Sequence, residues 1–346
     1  MPDVPVASPG PPLLWEQHCC LPLSSQADVG QLARYLRSGG SYVSVNVGYA
    51  PHSAADVLSL LDAFRRRVAD DSRYLLAATS RDIDQAHISD RVAVGFDLED
   101  AGPLEGHLDR VELFYDLGVR TMLPTYNHRN AAGSGCLDAV DDGLTAYGRA
   151  LVREMNAVGM VVDGSHCGAR TGLDLCRSSS SPVIYSHSCM RALWEHPRNI
   201  TDDQARACAD TGGVIGITGV GIFLGPNDPS VEALCRQIDY AVDLVGPDHV
   251  GLATDYPFDL DDFNREVAAN PHLFPDSYTR WGPIEFMPPE DLLNVGAALH
   301  NRGYPADAIH AIVGGNFRRI AGQVWRASSP QPQTPDNRPT RGPISS

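Results

Sequence analysis

Apolar runs of strand length alternate with stretches of helical periodicity from about residue 12 to residue 326. The runs predict strands at 12–18, 42–48, 74–79, 92–98, 119–125, 160–165, 182–187, 213–218 and 249–254. Between them, VLSLLDAFRRRVADD, LDRVELFYDLGV, LTAYGRALVREMNAVG and VEALCRQIDYAVDLVG read as amphipathic helices. This alternation calls for a parallel sheet with crossover helices. Nine runs are one more than an eight-stranded barrel uses, so YLLAAT at 74–79 is placed outside it. The expected fold is a (β/α)8 TIM barrel of the metal-dependent hydrolase type, one catalytic domain over 12–326. A flexible stretch, 1–11, and a Pro/Ser/Thr-rich tail, 327–346, expected to be disordered, flank it. Residues 257–289 show no clear helix until 290. Such a segment directly after the eighth strand falls on the catalytic face, where it can wall a pocket.

Several runs end on side chains of metal-binding type: LLWEQHCC with His18, VAVGFDLED with Glu99, MVVDGSH with His166, PVIYSHS with His187 and HVGLATDYPF with Asp255. In barrels, residues at the C-terminal ends of different strands build the active site. Neutral imidazoles with carboxylates form the ligand set of zinc and similar dications. The chain therefore reads as a metallohydrolase whose first, third, fifth, sixth and eighth strands carry the chemistry.

Each residue has a plainer reading beside the functional one. A single histidine at a strand end is as well a hydrogen-bonded rim residue; two on adjacent strands, each after a serine, favour ligands. Asp97, Glu99 and Asp100 compete for the inward position. Period-two alternation puts Asp97 and Glu99 on one face, and reach from the strand end favours Glu99 as a bridging carboxylate. His18 and the i+2 residue share a face, but that residue is Cys20. It reads as a thiolate ligand or as a small core thiol, and both stay open. Arg198, in HPRN, suits bidentate capture of a substrate carboxylate. Asp255 suits transfer of a proton from attacking water to a leaving amine. Alone, either is also an ordinary ion pair.

The formal net charge of −16 argues against nucleic acid and anionic membrane surfaces as partners. No 18-residue apolar run is present, and MPDVPVASPGPP lacks the basic and apolar regions of a secretory signal. The eight cysteines show no CxxC spacing and read as mostly reduced thiols. The expected location is cytoplasmic.

Three longer segments carry a more specific signal: GLTAYGRALVREMNAVGMVVDGSH, PVIYSHS followed by HPRNITDDQARACADTGGVIGI, and IDYAVDLVGPDHVGLATD. With these the chain resembles the membrane dipeptidase (renal dipeptidase) family, zinc peptidases of family M19, over residues 12–326. The resemblance implies His18 and its i+2 partner on one metal, Glu99 as the bridge, and His166 and His187 on the other. It implies Arg198 for the substrate carboxylate and Asp255 near the substrate amine and scissile nitrogen. Two departures follow. The first-strand aspartate of the family is Cys20 here, which leaves occupancy of that site open. The histidine of the family's Thr-His-Asn triplet is Tyr126, whose hydroxyl can still donate to an oxyanion. Both changes are expected to mark a bacterial branch with His-x-Cys in place of His-x-Asp.

The expected function is a zinc dipeptidase, with one or two Zn2+ ions per chain. A metal-bound hydroxide attacks dipeptides or N-acyl amino acids that carry a free carboxylate. A homodimer is left open. The alternatives are a related amide or lactam hydrolase of specialised metabolism, and a metal-poor, non-hydrolytic accessory protein that keeps the pocket.

Overall fold

The structure, a computed structural model, describes residues 11–327. The expected flexible and disordered ends therefore lie, apart from Pro11 and Ala327, outside the described residues. Ten strands form one parallel sheet: β1 (Leu14–Cys20), β2 (Ser41–Asn46), β3 (Tyr74–Leu76), β4 (Val92–Leu98), β5 (Val119–Met122), β6 (Val161–Asp163), β7 (Val183–Ser188), β8 (Val214–Thr218), β9 (Val250–Ala253) and β10 (Tyr256–Pro257). β9 pairs with β8 and β10 pairs with β1, so the last stave, broken at Thr254 and Asp255, closes the ring. The eight staves are β1, β2, β4, β5, β6, β7, β8 and β9/β10: a (β/α)8 barrel.

β3 stands outside the ring, as the count of runs requires. It pairs only with the first half of β4, Tyr74 to Leu76 against Val92 to Val94, while β5 joins the second half. The observed β1 reaches two residues beyond the predicted 12–18. Hydropathy marks a strand only while it is apolar, and the upper interior of this barrel is polar. Cys19 and Cys20 therefore belong to the strand although they follow the polar Glu16, Gln17 and His18, where the apolar run stops.

Trp15, Tyr42, Ala93, Val161, Ile184 and Val214 pack with Phe317, Ile320 and Trp325 into one buried cluster. The last helix, Asn316–Val324, thus plugs the bottom of the barrel. A π-helical turn, Ala311–Gly315, leads into it. A side chain on Gly314 would meet the Leu13 carbonyl at 2.2 Å, so only glycine lets that turn pass beside β1. The outer helices follow their sequence signals. Ala146–Val158 is capped by Thr145, which accepts from Gly148 N at 3.0 Å, and ends at Gly159 with φ 80°.

The segment 257–289 is more regular than its sequence suggests. It holds a helix, Leu260–Ala269, and a single turn, Asp276–Thr279. The longer helix is capped by Asp259 but buries no residue fully, so it carries only a thin apolar stripe, chiefly Phe263 and Val267. Its place above the catalytic face is as expected. Among the described residues no helix is long and apolar enough to cross a membrane.

Candidate active site

Two register shifts shape the upper barrel. From Glu16 to Cys19, β1 advances three residues while β2 advances two, Val43 to Val45. The extra residue lets Gln17 and His18 both serve the interior. β7 repeats the device between Tyr185 and Ser188, against Ile215 and Ile217 of β8, and brings in Ser186 and His187. The rings of His18 and His187 stack at 4.2 Å. His166 follows β6 with φ 61°, and Asp255 sits in the break of the last stave with φ 55°. Positive φ is uncommon outside glycine and gathers at functional sites.

Three imidazoles converge on one carboxylate oxygen. Glu99 Oε1 lies 3.3 Å from His18 Nε2, 3.3 Å from His166 Nε2 and 3.4 Å from His187 Nε2. Each ring is held from behind. His18 Nδ1 is 3.0 Å from Asp97 Oδ1, whose Oδ2 accepts from Ser44 Oγ at 2.6 Å. His166 Nδ1 is 2.7 Å from Asn127 Oδ1, and His187 Nδ1 is 2.6 Å from Ser186 Oγ. Asn46 Nδ2 donates to the other Glu99 oxygen at 2.6 Å. With Nδ1 as the donor of each ring, Nε2 keeps its lone pair for the centre. His166 Nε2 and His187 Nε2 are only 2.9 Å apart beside the same carboxylate. This donor set fits a divalent cation.

The second cluster is His18, Cys20 and Asp255. Cys20 Sγ lies 3.5 Å from His18 Nε2 and 3.9 Å from Asp255 Oδ1, and His18 Nε2 lies 3.6 Å from Asp255 Oδ1. Burial pushes the Cys20 thiol up to about 12 although His18 pulls it down. Cys20 therefore ligates only if a cation displaces its proton. Burial also raises the Asp255 carboxyl to about 7, with His18 opposing and Glu99 adding. Burial works against the charge on Glu99, but His18 and His166 outweigh it and hold its carboxyl well below the usual range. Burial and Arg198 push His166 down to about 3; burial and His18 lower His187 as well, so both rings are neutral. His18 alone is raised, because Asp97 and Glu99 overcome its burial.

A profile of the membrane dipeptidase family, peptidase family M19, matches residues 23–267. The chain belongs to that family. It is 33% identical over 213 residues to an uncharacterised protein in the pqqA 5′ region of Klebsiella pneumoniae, covering 58% of this chain and 79% of that one. It is 31% identical over 211 residues to an uncharacterised dipeptidase of Schizosaccharomyces pombe, covering 58% of this chain and about half of the relative's length. The crystal structure of an amidohydrolase from Pseudomonas aeruginosa superposes with TM-score 0.81 at 27% identity, covering 91% of this chain and 97% of that one. Membership makes the chain a hydrolase of metallo-dipeptidase type.

In this member of the membrane dipeptidase family, the matched range includes Glu99, Tyr126, His166, His187, Arg198 and Asp255 but begins after His18 and Cys20. A cavity of about 400 Å3 opens over the cluster. Cys20, Glu99, Tyr126, His166 and Asp255 line its floor; Phe223, Phe263, Phe274, Tyr278 and Phe286 form an aromatic wall. Tyr126 stacks on the His166 ring at 4.3 Å. Of the expected site residues, His18, His187 and Arg198 do not line the cavity; the two histidines lie beneath it against Glu99, and Arg198 stands farther back. It is buried, donates from Nη2 to the His187 carbonyl at 3.0 Å, lies over Phe223, and leaves Nε without a partner. The sequence reading missed Asn46 and Asn127 and gave Asp97 no role. Asp97 was visible in the alternation that pairs it with Glu99. Asn46 and Asn127 carry no local signal, because amides have no charge and follow no pattern there.

Proposed function

We propose that the chain is a zinc dipeptidase that hydrolyses dipeptides with a free C-terminal carboxylate. The observation that carries this reading is the convergence of His18, His166 and His187 on Glu99 Oε1 at the floor of the cavity. His166 and His187 with Glu99 would hold one ion; His18, Glu99 and Cys20 would hold a second. Zinc bound there would acidify a water molecule and polarise the scissile carbonyl.

The chain's own groups supply the rest. Asp255, with a carboxyl near neutrality, takes the proton of the attacking water and returns it to the leaving amine. Tyr126 lines the cavity, and its hydroxyl would donate to the oxyanion as it develops. Arg198 is the carboxylate partner: its free Nε offers a second donor beside Nη2, once the substrate reaches past Phe223 and Tyr278. The aromatic wall selects apolar side chains and keeps water from the reacting bond. All eight cysteines are unpaired, which supports a reducing, cytoplasmic setting.

The test is turnover of a dipeptide library by zinc-loaded enzyme, beside C-amidated counterparts. Zinc-dependent hydrolysis with a strong preference for free acids is expected. Loss of that preference would remove the carboxylate assignment, and no hydrolysis at any zinc level would remove the function.

A further inference from the structure

Asn127 lies outside the cavity floor yet touches both halves of the site. It is fully buried and has φ 57°, a conformation that asparagine tolerates better than most residues. Its Nδ2 donates to the Leu273 carbonyl at 3.1 Å. Its Oδ1 receives His166 Nδ1 at 2.7 Å and the Tyr278 hydroxyl at 3.3 Å. Leu273 and Tyr278 belong to the segment that walls the cavity, in which Phe274 and Tyr278 line it.

The amide can sit only one way round. A backbone carbonyl such as that of Leu273 only accepts, so the NH2 group must face it and Oδ1 must face the imidazole. An amide oxygen also only accepts, so His166 must carry its proton on Nδ1. Nε2 is then left unprotonated toward Glu99 and His187.

We propose that Asn127 is a positioning residue through which the wall segment 273–278 fixes the tautomer of His166 and so its affinity for a cation. This rests on the metal-centre reading above. One amide serves both the segment that meets substrate, through Nδ2, and a ring that meets metal, through Oδ1.

The experiment uses the full chain and Co2+, with affinity read by competition against a chromophoric chelator. Asn127→Gly removes the amide and keeps the positive φ without strain. It should weaken Co2+ binding by about 10–100-fold, the usual cost of losing a ligand's orienting partner. Asn127→Asp keeps the acceptor for His166 but loses the donor to Leu273. It should hold Co2+ near the wild-type affinity while KM rises, because the wall loses its tether. Nitrogen NMR of the metal-free wild type should show His166 protonated at Nδ1, a readout that needs no variant. Wild-type Co2+ affinity in Asn127→Gly, equal losses in Gly and Asp, or His166 protonated at Nε2 would each overturn the proposal. A wild-type chain that binds no Co2+ would overturn the metal centre with it.

Discussion

The imidazoles of His18 and His187 stack at 4.2 Å with their planes 18° apart, each delivered by its own register shift. Neither strand, run as a regular ladder, would turn two successive residues inward. The shift at Gln17 and His18 does so on β1, and the shift at Ser186 and His187 does so on β7.

Removing either neutral imidazole should empty the centre it serves. His166→Ala and His187→Ala should each lose at least one metal ion per chain and depress turnover by several orders of magnitude. Metal analysis of protein purified without added zinc, followed by zinc titration, checks this. Wild-type metal content in both variants would end the ligand assignment.

His18, Glu99, His166, His187 and Asp255 were legible because each ends an apolar run, and strand ends face one side of a barrel. Glu99 could be chosen over Asp100 because alternation fixes the face, and Asp97, on that same face, turns out to support His18. The register shifts were not legible, since one extra residue leaves no mark in hydropathy. Nor was the contact between Asn127 and His166, made by an uncharged side chain to a distant strand end. The helix Leu260–Ala269 was hidden for a different reason: with no fully buried residue it has too little apolar stripe to show a period.

Tyr126→Phe should separate stacking from donation. The ring against His166 remains, so metal content and KM should hold near wild type. Loss of one oxyanion donor typically costs about 10²–10³ in kcat. A kcat within a few-fold of wild type would show that the hydroxyl does not meet the developing charge.

Arg198→Lys should cost more than conservation of charge suggests. The guanidinium uses Nη2 on the His187 carbonyl and keeps Nε free, and a single ammonium cannot do both. The loss should fall mainly on substrates with a free carboxylate. Equal losses for free-acid and amidated dipeptides would make Arg198 a strut for His187 instead.

Asp163 gives a pH-dependent stability prediction. Its Oδ1 accepts from Ser165 N at 2.9 Å and Ser186 N at 3.0 Å, while buried Oδ2 has no partner. Burial raises its carboxyl above the ordinary range. The folded chain thus holds this proton more tightly than the unfolded one. Its contribution to stability is present below the unfolded value, about 3.9, and is lost as pH rises through the folded value. Asp163→Asn keeps the accepting oxygen and cannot ionise, so its melting temperature relative to wild type should rise with pH. A constant difference between pH 4 and pH 8 would show that the carboxyl does not titrate with folding.

Cys20 decides whether the second cluster is a metal site. If it ligates, it does so as thiolate, and the cation must displace a proton that burial holds up to about 12. Cys20→Ala should then lower occupancy of the His18 site and leave the His166 and His187 site filled. Cys20→Asp should keep or raise occupancy, because a carboxylate near His18 binds without that proton penalty. A Co2+-loaded wild type should also show sulfur-to-metal charge transfer in the near ultraviolet that neither variant retains. If Cys20 only packs, Ala should cost modest stability and leave metal content alone. Asp would then be destabilising, since it adds a further carboxylate beside Asp255 and Glu99 with no cation to hold them. Metal stoichiometry, the absorption band and melting temperature, measured on both variants, separate these outcomes. Two ions in wild type and one in Cys20→Ala is the expected result.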